Sequence, residues 1–123
     1  MKRCLVADNS EVIRKVARHF LEADGFEVLE AEDAPTALTL CKQKAPDIVV
    51  LDWRLAGMTT LEFMSALRFS GSQKRPYIIY FTTDNDPVEL RRMFTVGVDN
   101  FMLKPFDRHS WSEKFSEIRL SAA

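Results

Sequence analysis

Short apolar runs alternate with amphipathic stretches along the whole chain. Five runs rich in Val, Ile, Leu and Phe are typical of strands, and each is followed by a stretch in which apolar residues recur at helical spacing. The predicted strands are 3–7, 26–31, 47–51, 76–81 and 100–103. Residues 48–51 are apolar on both faces, which is typical of a central strand in a parallel sheet covered by helices.

Capping residues and helix breakers bound the five predicted helices. The predicted starts are Ser10, Asp33 with Pro35 in the first turn, a point after the loop 52–58, Asp86 in a capping-box pattern with Pro87 and Glu89, and Asp107. The predicted ends are Gly25, Pro46, Gly71 and Gly97. The apolar stripes that we expect to face a core are Val12, Ile13, Val16, Ala17, Phe20 and Leu21; Ala34, Ala37, Leu38 and Cys41; Leu61, Phe63, Met64 and Leu67; Leu90, Met93 and Phe94; and Trp111, Phe115 and Ile118.

Five consecutive strand–helix units predict an α/β fold. Because crossovers between parallel strands are right-handed, these units favour a doubly wound, five-stranded parallel sheet. A closed barrel of eight such units needs about 250 residues, whereas this chain has 123. We therefore expect a single domain over residues 1–123, without an output domain.

Composition and charge exclude several function classes. Seventeen Lys and Arg against eighteen Asp and Glu give a formal net charge of −1, so no field of one sign supports binding to nucleic acid or to an anionic membrane. No apolar run approaches the roughly 20 residues of a membrane span. Cys4 and Cys41 lie 37 positions apart in apolar patterns, which predicts buried free thiols in a reducing, cytoplasmic compartment.

Polar side chains follow four of the five predicted strands. Asp8 and Asn9 come after the first strand, Asp52 after the third, Thr82 after the fourth and Lys104 after the fifth. Open α/β sheets bind ligands at the carboxyl ends of their strands, so we expect these side chains to converge. Hard oxygen ligands with an adjacent lysine indicate Mg²⁺ together with a phosphoryl group.

Asp52 is the candidate phosphoacceptor, because it ends the central strand and lies between the others. A carboxylate can attack a phosphoryl donor and form an acyl phosphate. The candidate Mg²⁺ ligands, direct or through water, are Asp8, Asn9, Asp52 and the main-chain carbonyl of Arg54. Lys104 is expected to pair with a phosphoryl oxygen and Thr82 to donate its hydroxyl to another.

A new dianion at this edge is expected to draw Thr82 inward and to leave space that an aromatic side chain can fill. Phe101 is the candidate for this switch, although its position in the last strand favours a simple core role. Two other residues also have plain alternatives: Asn9 as a helix cap only, and Arg54 as a surface side chain.

Four motifs carry a resemblance to a known family: Leu-Val-Ala-Asp-Asn-Ser at 5–10, Val-Leu-Asp-Trp at 50–53, Phe-Thr-Thr at 81–83 and Lys-Pro-Phe at 104–106. The residues Asp8, Asp52, Thr82 and Lys104 are separated by 44, 30 and 22 residues, which is also similar to the family's spacing. The chain resembles the receiver domains of two-component response regulators, and in particular the stand-alone, CheY-like members. The resemblance covers residues 2 to about 119.

This resemblance implies a flavodoxin-like sheet with strand order 2-1-3-4-5 and a signalling role. Asp52 then takes its phosphoryl group from a phosphohistidine on a sensor histidine kinase or a phosphotransfer protein. The fourth helix, fifth strand and fifth helix then form the face that binds a downstream protein, at the flagellar motor in chemotaxis or in a phosphorelay. The resemblance also implies a cis peptide bond between Lys104 and Pro105.

Several positions depart from the family pattern. Asn9 replaces the usual second acid, which is expected to weaken Mg²⁺ binding, and Arg54 stands where a guanidinium can pair with the phosphoryl group or with Asp8. Thr59 and Thr60 stand where the family often has Gly with positive φ, so we expect a reshaped or strained loop. Phe101 replaces the commoner Tyr, so a switch there is steric.

These departures keep an alternative open: a pseudo-receiver, which is a binding module of the same fold that works without phosphorylation. A small phosphohydrolase acting on external substrates through an aspartyl intermediate is disfavoured, because the sequence predicts no second domain to enclose a substrate. We therefore expect a signalling module that accepts a phosphoryl group and loses it again, and no enzyme on external substrates.

Overall fold

The computed structural model of the protein describes residues 2–68, 75–83 and 86–122. The strands are β1 (Arg3–Ala7), β2 (Glu27–Ala31), β3 (Ile48–Asp52), β4 (Tyr77–Thr82) and β5 (Asn100–Leu103). The helices are α1 (Glu11–Ala23), α2 (Ala34–Lys44), α3 (Thr60–Arg68), α4 (Pro87–Thr95) and α5 (Arg108–Ala122). The strands begin and end within one residue of the predicted positions.

All five strands are parallel and follow the order β2-β1-β3-β4-β5, which confirms the expected doubly wound fold. Every residue of β3 is buried, as its two apolar faces predicted. In the register of the sheet, Leu51 of β3 pairs with Ala7 of β1, and Asp52 pairs with Phe81 of β4. The ends of β1, β3 and β4 therefore meet at one edge of the sheet.

The helices cover both faces of the sheet and create two cores. On one face, α2, α3 and α4 pack over residues such as Val49, Leu51 and Ile78. On the other face, α1 and α5 pack over the alternate strand residues. That second core is rich in aromatic rings, and the rings of Trp111 and Phe115 stack with centroids 4.8 Å apart and an interplanar angle of 15°.

Most of the predicted caps are confirmed. The side chains of Ser10, Asp33 and Asp86 accept hydrogen bonds from backbone N–H groups in the first turns of α1, α2 and α4. At the start of α5, Asp107 Oδ1 accepts from the Ser110 N–H at 2.8 Å. The predicted end at Gly71 lies outside the described residues. Glu89 of the predicted capping box contacts Arg92 instead, at 3.4 Å.

The predicted apolar stripes were too wide. Val12, Val16, Leu61 and Phe94 are exposed, with 70% of Val12 and 57% of Leu61 accessible to solvent. A helix that lies on a sheet buries only the stripe that faces the strands, and in α1 that stripe holds Ala17 and Leu21. Helical periodicity identified the correct face of each helix, but it did not show where the contact with the sheet ends.

The expected strain at Thr59 and Thr60 was wrong. The Thr59 N–H donates to Glu62 Oε1 at 2.9 Å, and the Glu62 N–H donates to Thr59 Oγ1 at 3.1 Å. This reciprocal capping box begins α3. The left-handed conformation in this loop falls on Gly57, with φ +97°, where a Cβ would lie 2.7 Å from Pro35 Cδ. In this loop a glycine therefore takes the left-handed conformation and Thr59 takes the cap, so neither threonine is strained.

Both cysteines are buried free thiols, as predicted. Burial raises the pKa of Cys41 to about 11, and it raises the pKa of Cys4 further still, helped by the nearby charge of Asp47. Both thiols therefore remain protonated at neutral pH. None of the helices in the described ranges has the length and apolar character needed to cross a membrane.

We expect the Phe115→Ala substitution to lower the free energy of unfolding by about 3–5 kcal/mol, because it opens a cavity beneath the Trp111 ring. Phe115 is 1% exposed, whereas Phe94 is 44% exposed and serves as the matched control. Phe94→Ala should cost less than about 1 kcal/mol. Urea denaturation measures both values, and equal losses for the two variants would contradict the two-core packing.

The capping box of α3 should contribute to stability in a pH-dependent way. The hydrogen bond from the Thr59 N–H holds the pKa of Glu62 below its ordinary value. The contribution is therefore complete above the ordinary glutamate pKa of about 4.3, and it is lost as pH falls through the lower folded value. We expect the difference in unfolding free energy between wild type and Glu62→Gln to shrink or reverse below that value, as followed by urea denaturation from pH 6 to pH 2.5. A difference that stays constant over this range would contradict the capping box.

Candidate functional site

Two buried carboxylates and one buried threonine hydroxyl lie together at the carboxyl edge of the sheet. They are Asp8, which is 1% exposed, Asp52 at 3% and Thr82 at 1%. Burying a charged group is costly unless it is paired and hydrogen-bonded. Two buried carboxylates and a buried hydroxyl at one edge indicate a site that the fold maintains at some expense in stability.

Lys104 joins the two buried carboxylates. Its Nζ lies 2.8 Å from Asp8 Oδ2 and 3.0 Å from Asp52 Oδ1, and its side chain is only 14% exposed. Two carboxylates and one ammonium leave this cluster with an excess of one negative charge. Because the partners come from the ends of β1, β3 and β5, the bridge also ties three strands together at the edge.

Backbone contacts hold both ends of this bridge in place. The Asp8 N–H donates to Ala31 O at 3.0 Å, and the Ser10 N–H donates to Asp8 Oδ1 at 2.9 Å. The Lys104 N–H donates to Thr82 O at 2.8 Å, and the peptide bond between Lys104 and Pro105 is cis, as expected. The site is therefore built on ordered backbone rather than on free loops.

Thr82 ends β4, with Leu103 as its register partner. Thr82 is buried beside the Lys104 backbone, and its role toward a phosphoryl group stays a prediction. Phe101 is half-buried in β5 and packs against the core that α2, α3 and α4 cover. Its ring centroid is 6.3 Å from that of Phe94, and Lys114 Nζ lies 5.0 Å above the ring.

Asn9 and Arg54 lie nearer to solvent. Asn9 is exposed next to Asp8, and the exposed guanidinium of Arg54 lies 4.8 Å from the centroid of the Trp53 ring. Of the two pairings that the sequence allows for Arg54, the one with Asp8 is not formed, and the one with a phosphoryl group stays a prediction. The stacking on Trp53 offers a planar cation a favourable partner at the protein surface. The structure thus brings together Asp8, Asp52 and Lys104, with Thr82 beside the Lys104 backbone, and leaves the other two at the rim.

The donor atoms of the site fit Mg²⁺. Carboxylate, amide and main-chain carbonyl oxygens are the ligands that hard divalent cations prefer, and the excess negative charge favours a cation. Within the described ranges, no three or more His, Cys, Asp or Glu side chains are grouped as metal ligands. Asp8 and Asp52 are the buried carboxylates that would hold Mg²⁺ here, and the Asn9 amide and the Arg54 carbonyl stay predicted ligands.

Sequence reasoning missed one residue that touches the site. Arg14 Nη1 donates to the main-chain oxygen of Asp8 at 2.7 Å, and Arg14 Nε lies 3.1 Å from Glu30 Oε1. Arg14 follows Asp8 by six residues and belongs to the predicted polar face of the first helix, where a basic residue is unremarkable. Only the packing of α1 against β2 shows that its side chain points back to the sheet.

Comparisons with known proteins agree on one family. The family model described as the response regulator receiver domain matches residues 4–115. The chain is 34% identical over 119 residues to the sensor histidine kinase AruS of Pseudomonas aeruginosa, covering 95% of this chain and 12% of that relative. It is 26% identical over 117 residues to the chemotaxis protein CheY-3 of Vibrio cholerae, covering 94% and 90%.

The solved structures agree with this match. The chemotaxis response regulator CheY4 of Vibrio cholerae superposes with a TM-score of 0.88 at 28% identity, covering 96% of this chain and 98% of that one. The chain spans less than half the length of the first curated relatives that it matches. The activities of those longer proteins as a whole are therefore not assigned to this chain.

We expect Lys104→Met to lower the free energy of unfolding by about 3–5 kcal/mol, because two buried carboxylates lose their shared cation. Lys114→Met is the matched control, since Lys114 is also largely buried but pairs with the exposed Glu117 at 3.4 Å. The double variant Asp52→Asn/Lys104→Met should recover part of the loss. Urea denaturation measures all three, and a Lys104→Met cost no larger than that of the control would contradict the bridge.

Proposed function

This chain belongs to the response regulator receiver domain family, and from that premise we propose that it is phosphorylated on Asp52 by a partner histidine kinase in a Mg²⁺-dependent step. The observation that carries the proposal is the buried Asp52 carboxylate bridged to Asp8 by Lys104 at the carboxyl edge of the sheet. The relatives that are sensor kinases support a kinase-linked role.

The chemistry is transfer of a phosphoryl group between two side chains. A carboxylate oxygen of Asp52 attacks phosphorus, the bond from phosphorus to the imidazole nitrogen of the donor histidine breaks, and its electron pair returns to that nitrogen. The product is an acyl phosphate on Asp52. Hydrolysis later restores the carboxylate. Receiver domains are signalling modules, and we propose no reaction on an external substrate.

The residues around Asp52 have distinct roles in this transfer. Lys104 Nζ is already 3.0 Å from Asp52 Oδ1, so a small shift pairs it with a phosphoryl oxygen. The Thr82 hydroxyl donates to a second oxygen. Asp8, Asp52, the Asn9 amide and the Arg54 carbonyl would hold Mg²⁺, which would offset the negative charge that builds up on the phosphoryl oxygens.

The output is a phosphorylation-dependent change in binding to another protein, through the face formed by α4, β5 and α5. This face carries exposed apolar side chains, with Phe94 at 44% and Leu103 at 36%, next to the half-buried Phe101. Movement of Thr82 toward the phosphate alters the packing of Phe101 against Phe94. The CheY relatives favour a downstream target in chemotaxis, and the kinase relatives favour a phosphorelay; either places the protein in the cytoplasm.

We expect Asp52→Asn to abolish incorporation of phosphate from acetyl phosphate in the presence of Mg²⁺, because the nucleophilic oxygen is lost. Asp107→Asn is the control, since Asp107 is an exposed carboxylate that caps α5. Intact-mass spectrometry measures the gain of one phosphate per chain, and removal of Mg²⁺ with EDTA should prevent that gain in wild type.

Trp53 fluorescence gives a second reading of the same reaction, because Trp53 follows the phosphoacceptor directly. Addition of Mg²⁺ and then of beryllofluoride should change its emission in wild type and not in Asp52→Asn. A wild type that gains no phosphate from any donor and shows no change in emission is a pseudo-receiver, which Asn9 in place of an acid would favour.

A further inference from the structure

A second charged network lies just behind the site, between α1 and the edge strand β2. Arg14 and Glu30 have side chains that are only 13% and 21% exposed, and they are joined by the 3.1 Å contact between Arg14 Nε and Glu30 Oε1. Arg18 Nε approaches the other oxygen of Glu30 to 2.6 Å. Ion pairs at a protein surface often contribute little to stability. The hydrogen bond from this network to the phosphorylation site is therefore its most relevant contact for function.

That contact joins Arg14 to the backbone of the phosphorylation site. Arg14 Nη1 donates to the main-chain oxygen of Asp8 at 2.7 Å. We propose that Arg14 is a positioning residue, which holds the Asp8–Asn9 turn so that the Asp8 carboxylate faces Asp52 and a bound cation. The expected effect on Mg²⁺ binding rests on the proposed function, whereas the expected effect on the conformation of the turn does not.

The contact completes the fixation of Asp8. Its N–H is bonded to Ala31 O, its Oδ1 to the Ser10 N–H and its Oδ2 to Lys104. The Asp8 carbonyl lies at the point where β1 has ended and α1 has not begun, so the regular bonds of strand and helix are not available to it. Arg14 supplies this bond from within α1, and thereby ties the turn to the helix that follows it.

Glu30 holds the guanidinium at the correct place. It belongs to β2, where its register partner is Val6 of β1, two residues before Asp8. Partial burial opposes ionisation of Glu30, but the hydrogen bonds and charges of Arg18, together with the hydrogen bond of Arg14, keep its pKa below the ordinary value. Glu30 is therefore a fixed anion anchored in the sheet, and Arg14 spans the distance from it to the Asp8 carbonyl.

An arginine is needed for this geometry. Its planar guanidinium donates from Nε to a carboxylate and from Nη1 to a carbonyl in fixed directions, whereas a lysine ammonium is a compact point charge without that fork. Arg14→Lys therefore keeps the charge and removes the double contact. Arg14→Met removes both. The pair of variants separates the position of the turn from the charge beside it.

A positioning role and a purely electrostatic role predict opposite results. If Arg14 acted only as a nearby positive charge, its removal would relieve repulsion and tighten Mg²⁺ binding, and Arg14→Lys would change nothing. If Arg14 positions Asp8, both variants weaken Mg²⁺ binding, by about 10-fold as for other residues that orient a metal ligand. Titration of Trp53 fluorescence with Mg²⁺ measures the dissociation constant in each case.

Arg18→Met is the matched control, because Arg18 contacts the same Glu30 carboxylate but gives its other hydrogen bond to Glu22 and not to Asp8. It should lower stability by an amount similar to Arg14→Met and leave the Mg²⁺ dissociation constant within twofold of wild type. Urea denaturation verifies the stabilities. Equal Mg²⁺ constants for Arg14→Met and Arg18→Met, or a tighter constant for Arg14→Met, would overturn the proposal.

The Ser10 amide gives a reading that needs no metal. Its bond to Asp8 Oδ1 depends on the same turn, so its hydrogen exchange in Mg²⁺-free protein should be at least 10-fold faster in Arg14→Met and Arg14→Lys than in Arg18→Met. If the Ser10 amide exchanges faster in the Arg14 variants but the wild type binds no Mg²⁺, the proposed function is contradicted and the positioning role still holds. If the exchange rate of the Ser10 amide is the same in the Arg14 and Arg18 variants, only the positioning role is contradicted.

Discussion

The ammonium of Lys104, shared between the carboxylates of Asp8 and Asp52, is the contact on which the organisation of this protein depends. The three groups are separated by 44 to 96 residues in the chain; both carboxylates are buried, and the lysine side chain is 14% exposed. Burying charged groups away from water costs free energy unless each group is paired with one of opposite charge. The fold must therefore bring the ends of three strands together, because only then can the ion pairs of this cluster offset the cost of burying its charges.

The sheet satisfies that requirement through its apolar strands. β3 is buried on both faces and aligns with β1 and β4 without offset at the edge, so that the residues at the strand ends have fixed neighbours. The two cores hold the sheet rigidly from both sides. The apolar residues of each strand face the cores and stabilise the fold. The polar residues at the end of the strand form the candidate site.

The departures from the family pattern are accommodated in different ways. Thr59 becomes a helix cap, while Gly57 takes the left-handed conformation nearby, so neither threonine of the loop after β3 needs positive φ. Asn9 leaves the cluster with two acids, and Arg14 and Glu30 add a second, neutral pair immediately behind them. In this protein a smaller number of charges at the site is combined with a firmly held Asp8 backbone.

The sequence by itself determined the five strand–helix units, the strand ends that carry polar residues and the caps at Ser10, Asp33 and Asp107, because periodicity and capping depend on residues close together in the chain. It placed Val12 and Leu61 wrongly in a core, since the width of a buried stripe depends on how each helix lies on the sheet. The Lys104 bridge, the stacking of Arg54 on Trp53 and the reach of Arg14 to Asp8 were decided only by tertiary structure. These contacts depend on strand register and on side-chain directions that packing selects, and neither is encoded within any one segment.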